Sequence, residues 1–328
     1  MTRVSTPTRY AAALVACGLV AVACGSDSDE DSGAAPASTA APAATAPVTT
    51  EAPTTTAATA TTAAPTTTIA PPEPIPIDPP DGMELVWSDE FDGDEIDLAN
   101  WTYDIGGWGW GNGEAQYYTD RPENARTENG LLHIELRQEQ FEDRYYTSAR
   151  LKSQDLREFQ YGYLEGRLKV PAGAGTWPAF WMLGSGFEQD APETENQWPF
   201  VGEIDIMEYV GREPDLVLGT IHGPGYAGAG GRSKWFRQDF DIADDWHTYA
   251  IDWDEDGIRW FFDDQMYYEI GPEDLRDLEW VFDKPFFFIV NLAFGGTLGG
   301  LPALDLEFPI HYYVDHIRVY QDIEGSDQ

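Results

Sequence analysis

Gly202-Glu203-Ile204-Asp205-Ile206-Met207-Glu208-Tyr209-Val210-Gly211 sets three carboxylates within six residues, spaced by Ile204, Ile206 and Met207 and bounded by glycine on both sides. The apolar members are β-formers or core fillers, so the run reads as a strand. In a regular strand Glu203, Asp205 and Met207 would share one face, and Ile204, Ile206 and Glu208 the other. That register would bury Glu208 beside two isoleucines, which an ionised carboxylate resists. One extra residue, a β-bulge near Ile206–Met207, removes the conflict and puts Glu203, Asp205 and Glu208 in one row with the isoleucines on the core face. Three crowded acids repel, so at least one is expected to hold its proton above the usual carboxylate range. Carboxyl groups with split affinities for protons are the equipment of glycoside hydrolysis. A solvated edge strand or a cation site would use the same alternation, and the stretch alone does not choose among them.

The surroundings narrow the choice. The 328-residue chain carries 58 Asp+Glu against 19 Lys+Arg, a formal charge of -39, which excludes nucleic acid and anionic polymers as partners and fits a neutral ligand. Aromatics reach 13%, enough for a large sandwich core, a sugar-binding cleft, or both. The two cysteines, Cys17 and Cys24, both lie near the N-terminus, so the rest of the chain has no disulfide.

Residues 1–24 read as an export signal. Arg3 and Arg9 supply its positive region, Ala11–Ala23 its apolar run, and the run ends at Ala21-Val22-Ala23-Cys24-Gly25-Ser26. This end is similar to a bacterial lipobox, which implies lipidation of Cys24 and an extracellular or cell-envelope location, the membrane being reached only through that lipid. Plain signal-peptidase cleavage near Ala23 is the alternative. Residues 25–80, dominated after an acidic start by Ala, Thr and Pro, cannot bury a core and read as a disordered tether. Short β-type runs between Gly, Asn and Asp turns then fill 81–322: Leu85–Trp87, Leu131–Leu136, Tyr161–Val170, Val217–His222, Trp246–Asp252, Ile258–Phe262, Phe286–Leu292 and Tyr313–Tyr320. Pro272–Leu278 is the one weak helix candidate, Glu193–Gln197 reads as a loop, and 323–328 form a tail. The pattern predicts one all-β domain, a two-sheet sandwich.

The acidic strand, extended back to Trp198-Pro199-Phe200-Val201, resembles the signature of glycoside hydrolase family 16, and Met207 places it with the laminarinase-like endo-β-1,3-glucanases. Six further stretches agree in order: Trp87–Phe91, Gly111–Thr119, Tyr146–Ser153, Gly175–Gly184, Thr220–Tyr226 and Val314–Tyr320. The resemblance implies a β-jelly roll of two curved antiparallel sheets with an open concave cleft, acting as a monomer on a neutral β-glucan by a retaining mechanism. Mixed-linkage β-1,3-1,4-glucan cleavage, transglycosylation and non-catalytic glucan binding are the alternatives. Retention of all three acids speaks against the last.

By the same resemblance, Glu203 matches the nucleophile, Glu208 the general acid/base, and Asp205 the acid that assists the nucleophile. Trp177, Trp181 and Trp198 are expected as stacking surfaces for sugar rings or as core. Arg150 is expected to bind hydroxyls, to orient Glu203, or to form a structural ion pair. Asn112, Glu114 and His222 are expected as polar cleft residues. Catalysis is expected to need no cofactor. Glu90, the carbonyl of Gly130 and Asp315 match positions at which family members hold a structural Ca²⁺, although as residues alone the two acids read as unconnected surface carboxylates. After Asn291-Leu292-Ala293-Phe294-Gly295-Gly296 the chain has Thr297-Leu298-Gly299-Gly300-Leu301-Pro302 where the family usually has Asn-Trp-Pro, so an aromatic residue at one end of the cleft is missing.

Overall fold

The computed structural model describes residues 69–189 and 195–323. The expected leader with Cys24, the tether up to residue 68 and the tail beyond Ile323 lie outside them. The first strands are β1 (Met83–Asp89), β2 (Thr102–Tyr103), β3 (Tyr117–Tyr118), β4 (Ala125–Glu128), β5 (Leu131–Phe141), β6 (Arg144–Ser148), β7 (Arg150–Lys152), β8 (Glu158–Phe159) and β9 (Gly162–Lys169). They are followed by β10 (Thr176–Gly184), β11 (Glu203–Tyr209), β12 (Leu216–His222), β13 (Arg232–Arg237), β14 (His247–Trp253), β15 (Ile258–Phe262), β16 (Gln265–Ile270), β17 (Phe286–Phe294) and β18 (Ile310–Asp322).

Two sheets form a β-jelly roll sandwich. One runs β13-β12-β11-β10-β17-β7-β2 with β8 on β17, and the other runs β16-β15-β14-β9-β18-β5-β6-β3 with β1 on β18 and β4 on β5. The sheets are antiparallel as expected, apart from the two-residue β3, which runs parallel to β6 with Tyr117 opposite Thr147. Every predicted β-run lies in or overlaps a strand. The helix expected at Pro272–Leu278 is a short 3-10 turn, Pro272–Leu275, started by the Asp274 carboxylate accepting from the Gly271 amide at 3.0 Å. A single helical turn at Gly296–Gly299 was not expected.

Sequence pattern and layer position agree. β9 alternates buried and half-buried residues along its whole length, as a strand with one core face should. β17 is buried throughout, because Phe286, Phe288, Val290 and Leu292 enter the main core while Phe287 and Ile289 pack in a second cluster with Leu183 and Val201. From β11, Ile204, Ile206, Met207 and Tyr209 enter the core between the sheets, where Trp253, Trp260 and Phe262 come from the other layer. Each such side chain contributes about 1.5–3 kcal/mol by leaving water. That gain fixes the register of β11, and with it the face on which the acids stand.

The end of the tether belongs to the fold. The Glu73 carbonyl accepts from Arg167 Nη1 at 2.8 Å, and the Ile75 carbonyl accepts from Arg318 Nη2 at 3.1 Å. These bonds tie the last residues of the expected tether to the domain that follows it. Arg167 on β9 and Arg318 on β18 supply the donors that a Pro-rich segment cannot find in itself.

Candidate active site

The predicted bulge is present. Asp205 pairs with Thr220 and Glu208 with Leu218, so β11 spends three residues where β12 spends two. Against β10, Trp181 pairs with Asp205 and Phe180 with Met207, leaving Ile206 as the extra residue. The bulge puts Ile206 and Met207 both into the core and returns Glu208 to the face of Glu203 and Asp205. Its carbonyl is held from the opposite layer: Trp260 Nε1 donates to the Asp205 backbone oxygen at 2.9 Å. Gly219 makes room for this indole, since a Cβ there would stand 2.6 Å from Trp260 Cδ1.

The acids are electrostatically unequal. Asp205 is 3% exposed, and burial first, then the charge of Glu203 and a hydrogen bond with it, hold its carboxyl well above the usual range. His222 Nε2 lies 3.2 Å from Asp205 Oδ2 and 3.7 Å from Glu203 Oε1. Glu208 is also held well above the usual range, by burial first and then by the charge of Asp205, with Glu203 adding and His222 opposing. Trp177 Nε1 donates to Glu208 Oε1 at 3.1 Å and favours its ionised form. The row thus sets Asp205 and Glu208 apart as the two acids whose proton affinity is raised by burial and by a neighbouring carboxylate. Glu203, Asp205 and His222 also bring ligand atoms within 4.8 Å of one another. An ion there would occupy the atoms that acid–base chemistry needs.

The predicted binding residues divide. Trp198 is 40% exposed, with its ring centroid 6.1 Å from that of His222, so it stands as an open wall beside Glu203's partner. His222 is fixed from behind by the chain at Gly231, where a Cβ would sit 2.4 Å from the imidazole. Trp177 is mostly buried against Val210, Ala293 and Leu298. Leu298 occupies this corner in the segment that departs from the family pattern, and its carbonyl is held by Arg212. Arg150 does not serve Glu203. Its guanidinium pairs with Asp104 at 2.9 Å and lies between two indoles, 4.8 Å from the Trp110 ring and 4.7 Å from Trp181.

Glu114, expected as a polar cleft residue, stands at the centre of a buried network. It accepts from Asn112 Nδ2 at 3.1 Å, Gln116 Nε2 at 2.6 Å and Tyr118 Oη at 3.0 Å, and burial still raises it above the usual carboxylate range. Asn112 is spent on the same network. Tyr118 Oη accepts from Asn291 Nδ2 at 3.1 Å, and Asn291 Oδ1 accepts from Trp181 Nε1 at 2.7 Å. Trp181 is thereby oriented by a chain of bonds that starts at Glu114. Sequence reasoning missed Asp104, Trp110, Asn291 and Trp260. The Asn-Leu-Ala-x-Gly-Gly motif signalled Asn291, whereas nothing local marked the others.

The expected calcium set does not fit an ion as arranged. Both Glu90 oxygens accept from Arg318, at 2.9 and 2.8 Å, and Asp315 Oδ2 faces His316 at 3.0 Å and Arg167 at 3.3 Å. The charge of both carboxylates is already matched by protein cations.

Residues 112–304 match the family model described as "Glycosyl hydrolases family 16". The "Beta-glucanase" of Rhodothermus marinus is 46% identical over 260 residues, covering 74% of this chain and 86% of that protein. "Glucan endo-1,3-beta-glucosidase A1" of Niallia circulans is 34% identical over 271 residues; the match covers 74% of this chain and 38% of that longer protein. Among solved structures, the catalytic domain of an endo-1,3-beta-glucanase (laminarinase) from Thermotoga petrophila superposes with a TM-score of 0.69 at 44% identity, covering 73% of this chain and 98% of that one.

Proposed function

The chain belongs to family 16 of the glycosyl hydrolases, and we propose that it is an endo-β-1,3-glucanase that cleaves laminarin-like polymers with retention at the anomeric carbon. The observation that carries this reading is the bulged row on β11, which sets Glu203, Asp205 and Glu208 on one face, with the proton affinity of Asp205 and Glu208 raised by burial. In the first step the Glu203 carboxylate bonds to the anomeric carbon. The glycosidic C–O bond breaks and its oxygen takes the proton of Glu208. In the second, the Glu208 carboxylate takes a proton from water, the water oxygen bonds to the anomeric carbon, and Glu203 leaves as carboxylate. The hydrogen bond from Asp205 moderates the charge of the leaving Glu203. Carboxyl groups and water balance both steps. The -39 charge favours a neutral glucan over sulfated or uronate chains.

Trp198, 40% exposed beside His222, supplies a stacking surface for a sugar ring, and Trp181, oriented by Asn291 and backed by Arg150, supplies a second. For the leader, we propose lipidation at Cys24 and an envelope location, supported by the small residues before it and the acidic tether after it. Among the described residues no helix is long and apolar enough to cross a membrane. The decisive experiment is reducing-sugar release from laminarin, curdlan, lichenan and agarose, with the anomer of the first product followed by NMR. Rapid laminarin cleavage with a β-anomer first supports the reading. An α-anomer first overturns retention, and preference for lichenan overturns the linkage.

A further inference from the structure

The cross-strand row that carries Glu208 continues well beyond the acids. Residues opposite one another in antiparallel strands point to the same face. In one direction Glu208 pairs with Ala179, Ala179 with Asn291, and Asn291 with Arg150. In the other, Glu208 pairs with Leu218 and Leu218 with Trp235. One row therefore crosses six strands, about 24 Å at ~4.8 Å per step, with the acid nearer its centre than either end. Arg150, between Trp110 and Trp181, closes one end, and Trp235 stands at the other.

We infer that Trp235 is the sugar platform at the β13 end of the cleft, stacking on the apolar face of a pyranose ring two strands from Glu208. The indole is 41% exposed, while the next residue, Phe236, turns the opposite way and packs on the main core. Leu218, between Trp235 and Glu208, is buried yet lies outside the core clusters, as a residue on the cleft face should. In the adjacent row Ser233 accepts from Thr220 at 3.0 Å, tying the edge strand to β12. A lone surface tryptophan is ordinary. One that the register aims along the floor of the catalytic cleft, roughly 10 Å from the acid, has a reason to be bare. A ring held there lengthens the stretch of polymer the enzyme grips and sets its preference for long chains.

The identity of the polymer rests on the glucanase reading above; the place of Trp235 does not. The test is titration calorimetry of Glu203→Gln protein with laminari-oligosaccharides from triose to heptaose, alone and combined with Trp235→Ala or Trp235→Phe. The expected result is affinity that rises with length in the parent, is unchanged for the shortest ligand in Trp235→Ala, and falls roughly tenfold for the longest. Trp235→Phe should keep most of that gain, and the melting temperature should not move. An equal loss at every length, or none at the longest, overturns the inference. Failure of the unmutated enzyme to cleave laminarin, with the length effect intact, strikes the glucanase reading instead.

Discussion

Replacing Trp177 by Phe isolates one bond to the acid. The phenyl ring retains apolar contact with Val210, Ala293 and Leu298, whereas the Nε1–H that reaches Glu208 Oε1 at 3.1 Å is lost. A hydrogen bond to a charged group is worth about 1.5–3 kcal/mol. Because the donor stabilises the carboxylate, its loss leaves the ionised form of Glu208 less stable by roughly that lower figure, about tenfold in the ionisation equilibrium. Glu208 already binds its proton more tightly than an ordinary glutamate, through burial and the charge of Asp205. The variant tightens it further. With Glu208 as the proposed general acid, loss of its proton would end activity at high pH, so the alkaline limb of kcat/KM on laminarin should move to higher pH while the acidic limb stays. The rate at the optimum should drop modestly, since a weaker acid protonates the leaving oxygen less readily. An aryl glycoside whose leaving group needs no proton should show the same optimum rate in both proteins. An alkaline limb that stays in place or moves to lower pH would refute the assignment of Trp177 as the donor that tunes the acid.

Glu208→Ala should lose laminarin turnover by several orders of magnitude, and added azide should restore cleavage of an activated aryl glycoside as the β-azide; no rescue by azide would sink the acid/base role. Trp260→Phe leaves the Asp205 carbonyl without its 2.9 Å donor in a buried site, costing ~1–3 kcal/mol and several degrees of melting temperature. If Trp260 positions the bulge, kcat falls with KM nearly constant; a melting change with kcat intact would make it only a packing residue. Asp205→Asn removes a carboxyl whose folded-state proton affinity is raised. Such a group adds stability below its unfolded range, near pH 4, and loses it as pH climbs through the folded value. The variant should therefore gain melting temperature relative to the parent at neutral and alkaline pH while losing turnover, and a uniform change across pH would contradict the assignment.

The local pattern of β11 was enough to foresee its bulge, because only one inserted residue reconciles Ile204 and Ile206 in the core with Glu208 outside it. The short strands, the sandwich and the three acids were legible for the same reason: period and burial are properties of a few neighbouring residues. Roles that depend on a distant partner were not. Glu114 read as a cleft acid because its donors Gln116 and Tyr118, although close in sequence, converge on it only in the folded loop. Arg150 was open between three roles until Asp104, Trp110 and Trp181 closed around it. Glu90 and Asp315 had the right chemistry for calcium, but Arg318 on β18 and Arg167 on β9 reach them.

The sequence alone determined the fold class and the carboxylates, since desolvation cost and strand period act on adjacent residues and leave their trace in spacing. Tertiary structure alone decided how those carboxylates are set apart in proton affinity and which distant residues share their cross-strand row. Trp260 crosses from one sheet to hold the backbone of Asp205 in the other, and the row from Arg150 to Trp235 exists only once six strands are in register. Both depend on contacts between residues far apart in the chain, whose strength is set by the low-dielectric interior and by cross-strand geometry.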